Sequence, residues 1–228
     1  MEIVKKAYSN PKVAQSYGVE FYNTDAYILG ENCVMNQFLG LLPANSSILD
    51  LGCGQGQETE FIASKGFSVI GIDFANAMLD IAEKKRKDLN TDVNIRYIYG
   101  DITLLSDLSL ELSSFSGAVY TLSLICLTPE QAKSSLNQTY DLLEPNGHLF
   151  AVVQEDNESD SIGRSVVEEE PFDISERQFY KFYTEREIKD LLYCCGFAIE
   201  RYERIELTNE NEAGAHALVC FASKIEKP

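Results

Sequence analysis

Three glycines at alternate positions, Gly52, Gly54 and Gly56, follow the apolar run "ILDL", and Asp50 stands two residues before the first of them. A glycine-rich turn between a strand and a helix usually cradles phosphate, because backbone N–H groups and a helix N-terminus attract anions. A carboxylate at that spot repels a phosphate. A dinucleotide fingerprint would read G-x-G-x-x-G, yet position 57 is Gln. The turn asks for a ligand that lies close to the backbone and brings positive charge toward Asp50. Two further acids fall in step with it: Asp73 ends "FSVIGID", and Asp101 follows "YIYG".

S-adenosylmethionine answers that description, with an ammonium, a sulfonium and no phosphate. The glycines let its carboxypropyl chain lie against the backbone, and Asp50 supplies negative potential to the cationic end. Asp73 is placed to accept both ribose hydroxyls, by the logic with which dinucleotide sites read a 2′-OH. Asp101 can accept from the adenine N6 amine, while Ile102 packs on the ring and offers its N–H to N1. Each acid has an ordinary alternative, since Asp after a strand often caps a helix or forms a turn. Three of them in order, at the carboxyl ends of successive strands where open parallel sheets bind ligands, favour the binding reading.

These residues sit in a chain whose first two thirds alternate short apolar strands with amphipathic helices, the pattern of a parallel sheet covered on both faces. Strands are expected over Ser47–Leu51, "FSVIGID", "VNIRYIY", "SGAVYTLS" and, after an "EPNG" turn, "HLFAVV". Helices are expected from about Gln57 to a stop at Gly66, over "ANAMLDIAEKKRKDL" and over "PEQAKSSLNQTYDLL". Upstream, Asn10 and Pro11 read as the cap and first turn of a helix, and Ile28, Met35, Phe38, Leu39 and Leu42 form one stripe that ends before Pro43. After Val153 the pattern breaks into a long polar, irregular stretch, and loops of that length inside a domain are functional or disordered. The helix "TEREIKDLLYCCG" follows, then the strands "FAIERYERIEL" and "HALVCFAS", whose short connection makes them antiparallel neighbours.

The 228 residues suffice for one large domain or a domain with a modest elaboration, and 45% hydrophobic residues supply a normal core. Nineteen Lys and Arg against 36 Asp and Glu leave a formal charge of −17. Such a surface repels nucleic acid and anionic lipid; it suits a small ligand, a cationic substrate, a basic protein or plain solubility. No nucleic-acid or membrane partner is expected. The six cysteines form no C-x-x-C pair and only two His exist, so no metal site is expected. Cys194 and Cys195 read as small buried hydrophobes. With no apolar leader in "MEIVKKAYSNPK" and no run of membrane-spanning length, a cytoplasmic protein with reduced thiols is the expectation.

Taken together, the motifs resemble the class I S-adenosylmethionine-dependent methyltransferases of the small-molecule type. "ILDLGCGQGQ" looks like their first motif, "VIGIDFANAMLDIA" their second, "YGDI" their third and "LLEPNGHL" the turn before their fifth strand, while "FYTEREIKDLLYCCGF" is similar to their helix before the sixth. The resemblance implies an α/β, Rossmann-like, doubly wound seven-stranded sheet of order 3-2-1-4-5-7-6 with an antiparallel last strand. It implies an N-terminal helical cap over residues 1–44, a cofactor domain over 45–228 and a substrate-region insertion at 154–183. Gly52 and Gly54, with Cys53 between them, would lie under the methionine part; Asp73 would hold ribose, and Asp101 and Ile102 adenine. Phe74, Met78 and Thr121 join the expected cofactor contacts. The sequence departs from the pattern in four places. Ala75 stands where a Ser cap is common, leaving Asn76 to cap that helix, and Gly117 replaces a common Asp. No "NPPY"-type motif follows the fourth strand, which argues against nucleobase amino-methylation, and "SLICL", with Cys126, lacks the His that small members often carry.

A sulfonium methyl is already electrophilic, so alignment and desolvation of a nucleophile are the main needs, with a proton acceptor only where the acceptor atom must lose one. Gln154 and Glu155 follow the fifth strand directly; Glu155 is the candidate base, or a solvated loop acid. His216 opens the antiparallel last strand, which returns it to the ligand end, whereas His148 opens the fifth strand and points away. Tyr8 and Tyr17 either cover the sulfonium by cation–π contact or pack a surface helix on the core. "RQFYKFY", residues 177–183 with Phe179, Tyr180 and Tyr183, either lines an acceptor pocket or anchors the insertion. Aminopropyl transfer at the same cofactor site, and a non-catalytic cofactor-binding regulator, stay open as alternatives.

Overall fold

The computed structural model describes residues 8–12, 14–15, 28, 33–88, 93–156, 163, 165–169, 177–206 and 216–227. The strands are β1 Ser47–Leu51, β2 Ser68–Asp73, β3 Ile95–Tyr99, β4 Phe115–Thr121, β5 Leu143–Gln154, β6 Ser165–Glu169, β7 Arg177–Lys181, β8 Phe197–Glu206 and β9 His216–Lys224. The helices used below are α1 Val34–Leu39, α2 Gln57–Ser64, α3 Asn76–Asp88, α4 Pro129–Leu142 and α5 Glu185–Cys194.

Seven strands form one sheet in the order β3-β2-β1-β4-β5-β9-β8. β1 to β5 pair in parallel, and β9 runs antiparallel to both β5 and β8. This is the expected topology, with the last two strands renumbered because the insertion contains two of its own. β6 and β7 pair antiparallel as a separate two-stranded sheet, so the stretch read as irregular carries regular structure. The "EPNG" turn is also absorbed into a strand: β5 starts at Leu143, and its pairing with β4 jumps from Phe115↔Leu143 to Gly117↔His148 around Asn146 at φ 65.

Both faces of the sheet are apolar, as a doubly covered sheet requires. In β5, Leu149, Ala151 and Val153 pack with α4 (Ala132, Leu136) and α5 (Ile188, Leu192). Phe150 and Val152 point the other way, onto α1 (Val34, Met35, Phe38) and α2 (Ile62, Ala63). The stripe expected before Pro43 therefore shares the core of the sheet. Gly117 belongs to this packing: a Cβ there would meet Leu42 Cδ1 at 2.8 Å and Phe38 Cζ at 3.3 Å, leaving no room for the Asp that the resemblance leads one to expect. α4 starts with a capping box, Thr128 with Gln131, and Pro129 in its first turn. Cys195 is buried as expected, but Cys194 is exposed. Among the described residues no helix is long and apolar enough to cross a membrane, and no cluster of His, Cys, Asp or Glu could hold a metal ion.

Candidate functional site

The carboxyl ends of β1, β2 and β4 converge on the glycine turn. Gly52 and Cys53 both donate to the Ile72 carbonyl, at 2.8 and 3.1 Å, which seats the turn against the end of β2. Gly52 has φ +80, and a Cβ on it would lie 2.5 Å from Ser123 Cβ, so the chain after β4 presses directly on this residue. Gly54 has φ +50, and a Cβ there would meet none of the described residues within 4 Å. The surface above Gly54 is open, and only a bare backbone keeps it so.

Asp50 is 2% exposed and accepts from the Thr59 hydroxyl at 2.5 Å. Burial first, and the Glu58 carboxylate second, push its pKa up to about 8. Asp73 is also buried; its Oδ2 accepts from the Gly54 N–H at 2.9 Å and its Oδ1 from the Ala75 N–H at 2.8 Å. Burial raises it to about 6 against these bonds. The Asp73 carboxylate thus ties the glycine turn to the β2–α3 turn. Asn76 is the first residue of α3, and the preceding turn is held by Asp73 and by the Ala75 carbonyl, which accepts from Met78 and Leu79, rather than by an Asn76 cap. Cys53 offers less than expected. Its thiol is buried and raised well above its ordinary pKa, by burial first, and its N–H is already committed to Ile72.

Asp101 serves the turn as well as standing at the site, since its Oδ1 accepts from the Thr103 N–H at 2.9 Å and hydroxyl at 2.7 Å. Ile102 is buried, and its carbonyl accepts from Ser135 Oγ at 2.7 Å. Because that hydroxyl proton is spent, Tyr120 must donate to Ser135 and accept from Thr139, both at 2.7 Å. A chain of three hydroxyls, Ser135 and Thr139 of α4 with Tyr120 of β4, thereby fixes the Asp101–Ile102 turn. Phe74 meets Tyr8 edge-on at 6.3 Å, and Met78 packs with Ala14 and Ala75. Tyr8 and Ala14 accordingly dock on the β2–α3 turn.

At the end of β4, Thr121 Oγ1 and Ser123 Oγ are buried and have no hydrogen-bond partner among the described residues, with Leu122 between them at φ +55. Glu155 lies at the end of β5, where Arg204 of β8 donates to its Oε2 at 2.5 Å; Arg204 also sits 3.4 Å from His216 Nδ1. The structure therefore brings Glu155 and His216 together, but with an arginine paired to the acid. Tyr183 is 1% exposed, bridges in parallel to Glu155 and sends its hydroxyl to the Leu124 carbonyl at 3.4 Å, so this ring anchors the insertion to the core. Phe179 and Tyr180 are half-buried on β7. Tyr17 lies outside the described residues. Ser123, Thr59 and Arg204 were not singled out in the sequence. Ser123 carries a signal, a polar residue directly after a buried strand; Arg204 lies in a strand of alternating charges and has none.

Residues 48–147 match a family model described as a methyltransferase domain. A carboxy-S-adenosyl-L-methionine synthase of Pasteurella multocida (strain Pm70) is 30% identical over 110 residues, 46% of this chain and 44% of that protein. A ubiquinone biosynthesis O-methyltransferase of Pseudomonas entomophila (strain L48) is 29% identical over 107 residues, 47% of this chain and 44% of that protein. The matched stretches span less than half the length of these relatives. Among solved structures, a S-adenosylmethionine-dependent methyltransferase of Methanosarcina mazei superposes with a TM-score of 0.72 at 23% identity, covering 84% of this chain and 98% of that one, which shows a common fold. The residues that build the glycine turn thus lie within a stretch similar to a methyltransferase domain, and the sheet has the fold of a S-adenosylmethionine-dependent methyltransferase.

Proposed function

We propose that the chain transfers the methyl group of S-adenosylmethionine to a small-molecule acceptor. The observation that carries this reading is the open backbone of Gly54 beside two buried acids, Asp50 and Asp73, at the carboxyl ends of β1 and β2. An acid held partly protonated by burial is stabilised by an incoming ammonium, and would be destabilised further by a phosphate. The Asp73 carboxylate, held by backbone N–H groups of the two turns, keeps acceptor capacity for a ribose hydroxyl. Thr121 and Ser123 add two unspent hydroxyls on the side facing β4. The residues present therefore fit the cofactor.

When bound, the sulfonium supplies an electrophilic methyl group. The chain's own task is to seat, orient and shield the reactants. Asp73, with Phe74 and Met78 beside it, holds the ribose end; Asp50 sets the potential at the amino-acid end; Ile102 backs the adenine from a turn that α4 keeps rigid. Glu155 and His216 are the acceptor-side polar groups, with Arg204 holding the Glu155 carboxylate in place. The formal charge of −17 favours a small or cationic acceptor over a nucleic acid. Other chemistry at the same site is the second reading, supported by the carboxy-S-adenosyl-L-methionine synthase among the relatives.

Radiolabelled S-adenosylmethionine incubated with the protein and size-fractionated cell extract tests the proposal. Label from the methyl group should appear in a low-molecular-weight product. Label that stays with the cofactor, or tight NAD binding without any S-adenosylmethionine binding, would sink it. Asp73→Ala should weaken cofactor affinity roughly tenfold to a hundredfold, the worth of a charged acceptor for a hydroxyl.

A further inference from the structure

Gln55 stands inside the glycine turn, between Gly54 and Gly56, yet only 5% of it is exposed. Its side-chain amide is spent on two distant partners. Nε2 donates to the Ala14 carbonyl at 2.5 Å, and Oε1 accepts from Lys85 Nζ on α3 at 3.1 Å. Lys85 also lies 3.5 Å from the Gln55 carbonyl. An ammonium can face only the oxygen of an amide, so Lys85 decides which end of Gln55 points at Ala14.

Ala14 belongs to a helical stretch that Asn10 opens. Asn10 Oδ1 accepts from the Lys12 N–H, and the Asn10 carbonyl from the Ala14 N–H, both at 3.0 Å. Ala14 is fully buried against Ala75 and Met78, and Tyr8 leans edge-on against Phe74. Tyr8 and Ala14 therefore touch both banks of the site: the glycine turn through Gln55, and the β2–α3 turn through Ala14 and Tyr8. Asp73, whose carboxylate joins those two banks, lies between the contacts.

We propose that Gln55, oriented by Lys85, is a positioning residue that latches Tyr8 and Ala14 across the cofactor site and so sets how long an S-adenosyl ligand stays bound. The proposal rests on the cofactor reading above. Because Gln55 is part of the turn that would carry the ligand, any shift of that turn is passed to Ala14 through one hydrogen bond. The only donor needed is the amide NH₂, which Glu lacks and Met lacks without adding charge.

The test uses the full chain with S-adenosylhomocysteine as probe. Gln55→Glu, Gln55→Met and Lys85→Met are compared with the parent by stopped-flow binding and by amide exchange over residues 8–15 in the ligand-free protein. In each variant the dissociation rate should rise about five- to tenfold, the worth of one buried hydrogen bond, with the association rate within about threefold. Exchange over residues 8–15 should quicken while the core strands keep their protection. Unchanged exchange overturns the latch, and faster exchange with an unchanged dissociation rate overturns its hold on the ligand. A parent that binds no S-adenosylhomocysteine overturns the cofactor reading instead, and exchange over residues 8–15 still decides whether the latch exists.

Discussion

The Thr59 hydroxyl donates to Asp50 Oδ2 at 2.5 Å, joining the first turn of α2 to the acid near the end of β1 beneath the glycine turn. This bond favours the carboxylate, but burial and the Glu58 and Asp73 carboxylates outweigh it, so Asp50 rises to about 8. The folded, ligand-free protein then holds a proton that the unfolded chain gives up near the ordinary value of 3.8. This group's contribution to stability is complete below that value and is lost as pH rises toward 8. Thermal denaturation between pH 5 and pH 8 should show a steeper loss for the parent than for Asp50→Asn. Asp73, raised to about 6, adds a loss of the same sign in a lower window.

The same proton gives a binding signature. A cation seated beside Asp50 favours its carboxylate, so S-adenosylhomocysteine should bind more tightly as pH rises from 6 toward 8 and should release a proton. Calorimetry in two buffers of different ionisation enthalpy reads this directly. Heats that do not depend on the buffer would contradict it, and Asp50→Asn should abolish the dependence.

Gly52 and Gly54 should separate folding from binding. Gly52→Ala forces a Cβ against Ser123 in a left-handed backbone, a loss of roughly 2–5 kcal/mol that denaturant titration would detect. Gly54→Ala meets no atom of the described residues and should cost only about 1–2 kcal/mol of backbone strain. It fills the open cradle instead, so it should stay folded and lose cofactor binding. If Gly54→Ala binds like the parent, the ligand does not lie on this turn.

Ser123→Ala and Thr121→Val should change stability and binding in opposite directions. A buried hydroxyl without a partner costs about 1–3 kcal/mol, so removing it should leave the melting temperature unchanged or higher. If these hydroxyls meet a ligand, affinity or turnover should fall several-fold. A fall in stability with no effect on binding would make them structural.

Glu155→Gln keeps the shape of the acid and removes its charge. If Glu155 takes the acceptor's proton, methyl transfer should drop by about a hundredfold, the usual range for general base catalysis, with cofactor affinity within about twofold. Arg204→Met should also lower transfer, because the guanidinium donates to Glu155 and holds its carboxylate in place. Transfer at the parent rate in Glu155→Gln would move the chemistry to another group.

Much of the site was legible because its parts are local. The spacing of Gly52, Gly54 and Gly56, an acid before them, and acids at the ends of two following strands are all properties of short segments, and the two periodicities of helix and strand set which segments those were. The parallel direction of β1 to β5 and the antiparallel β9 follow from connection lengths. What the sequence could not determine was where side chains from separate segments meet. Gly117 could be seen as a missing acid, but only its contact with Leu42 and Phe38 explains it. Tyr183 could not be told from a pocket residue until its ring was found in the core. Glu155 stood alone in the sequence and gained Arg204 only because β9 sets β8 within reach of the end of β5. The pairing of β6 with β7 was hidden by the polar composition of the stretch around them, which carries no sustained apolar alternation. Local pattern thus decided the turn, the acids and the strand directions, while the strand order came from the family resemblance. Tertiary packing decided the partners, because hydrogen bonds, burial and pKa shifts depend on distances that the chain sets only once it has closed on itself.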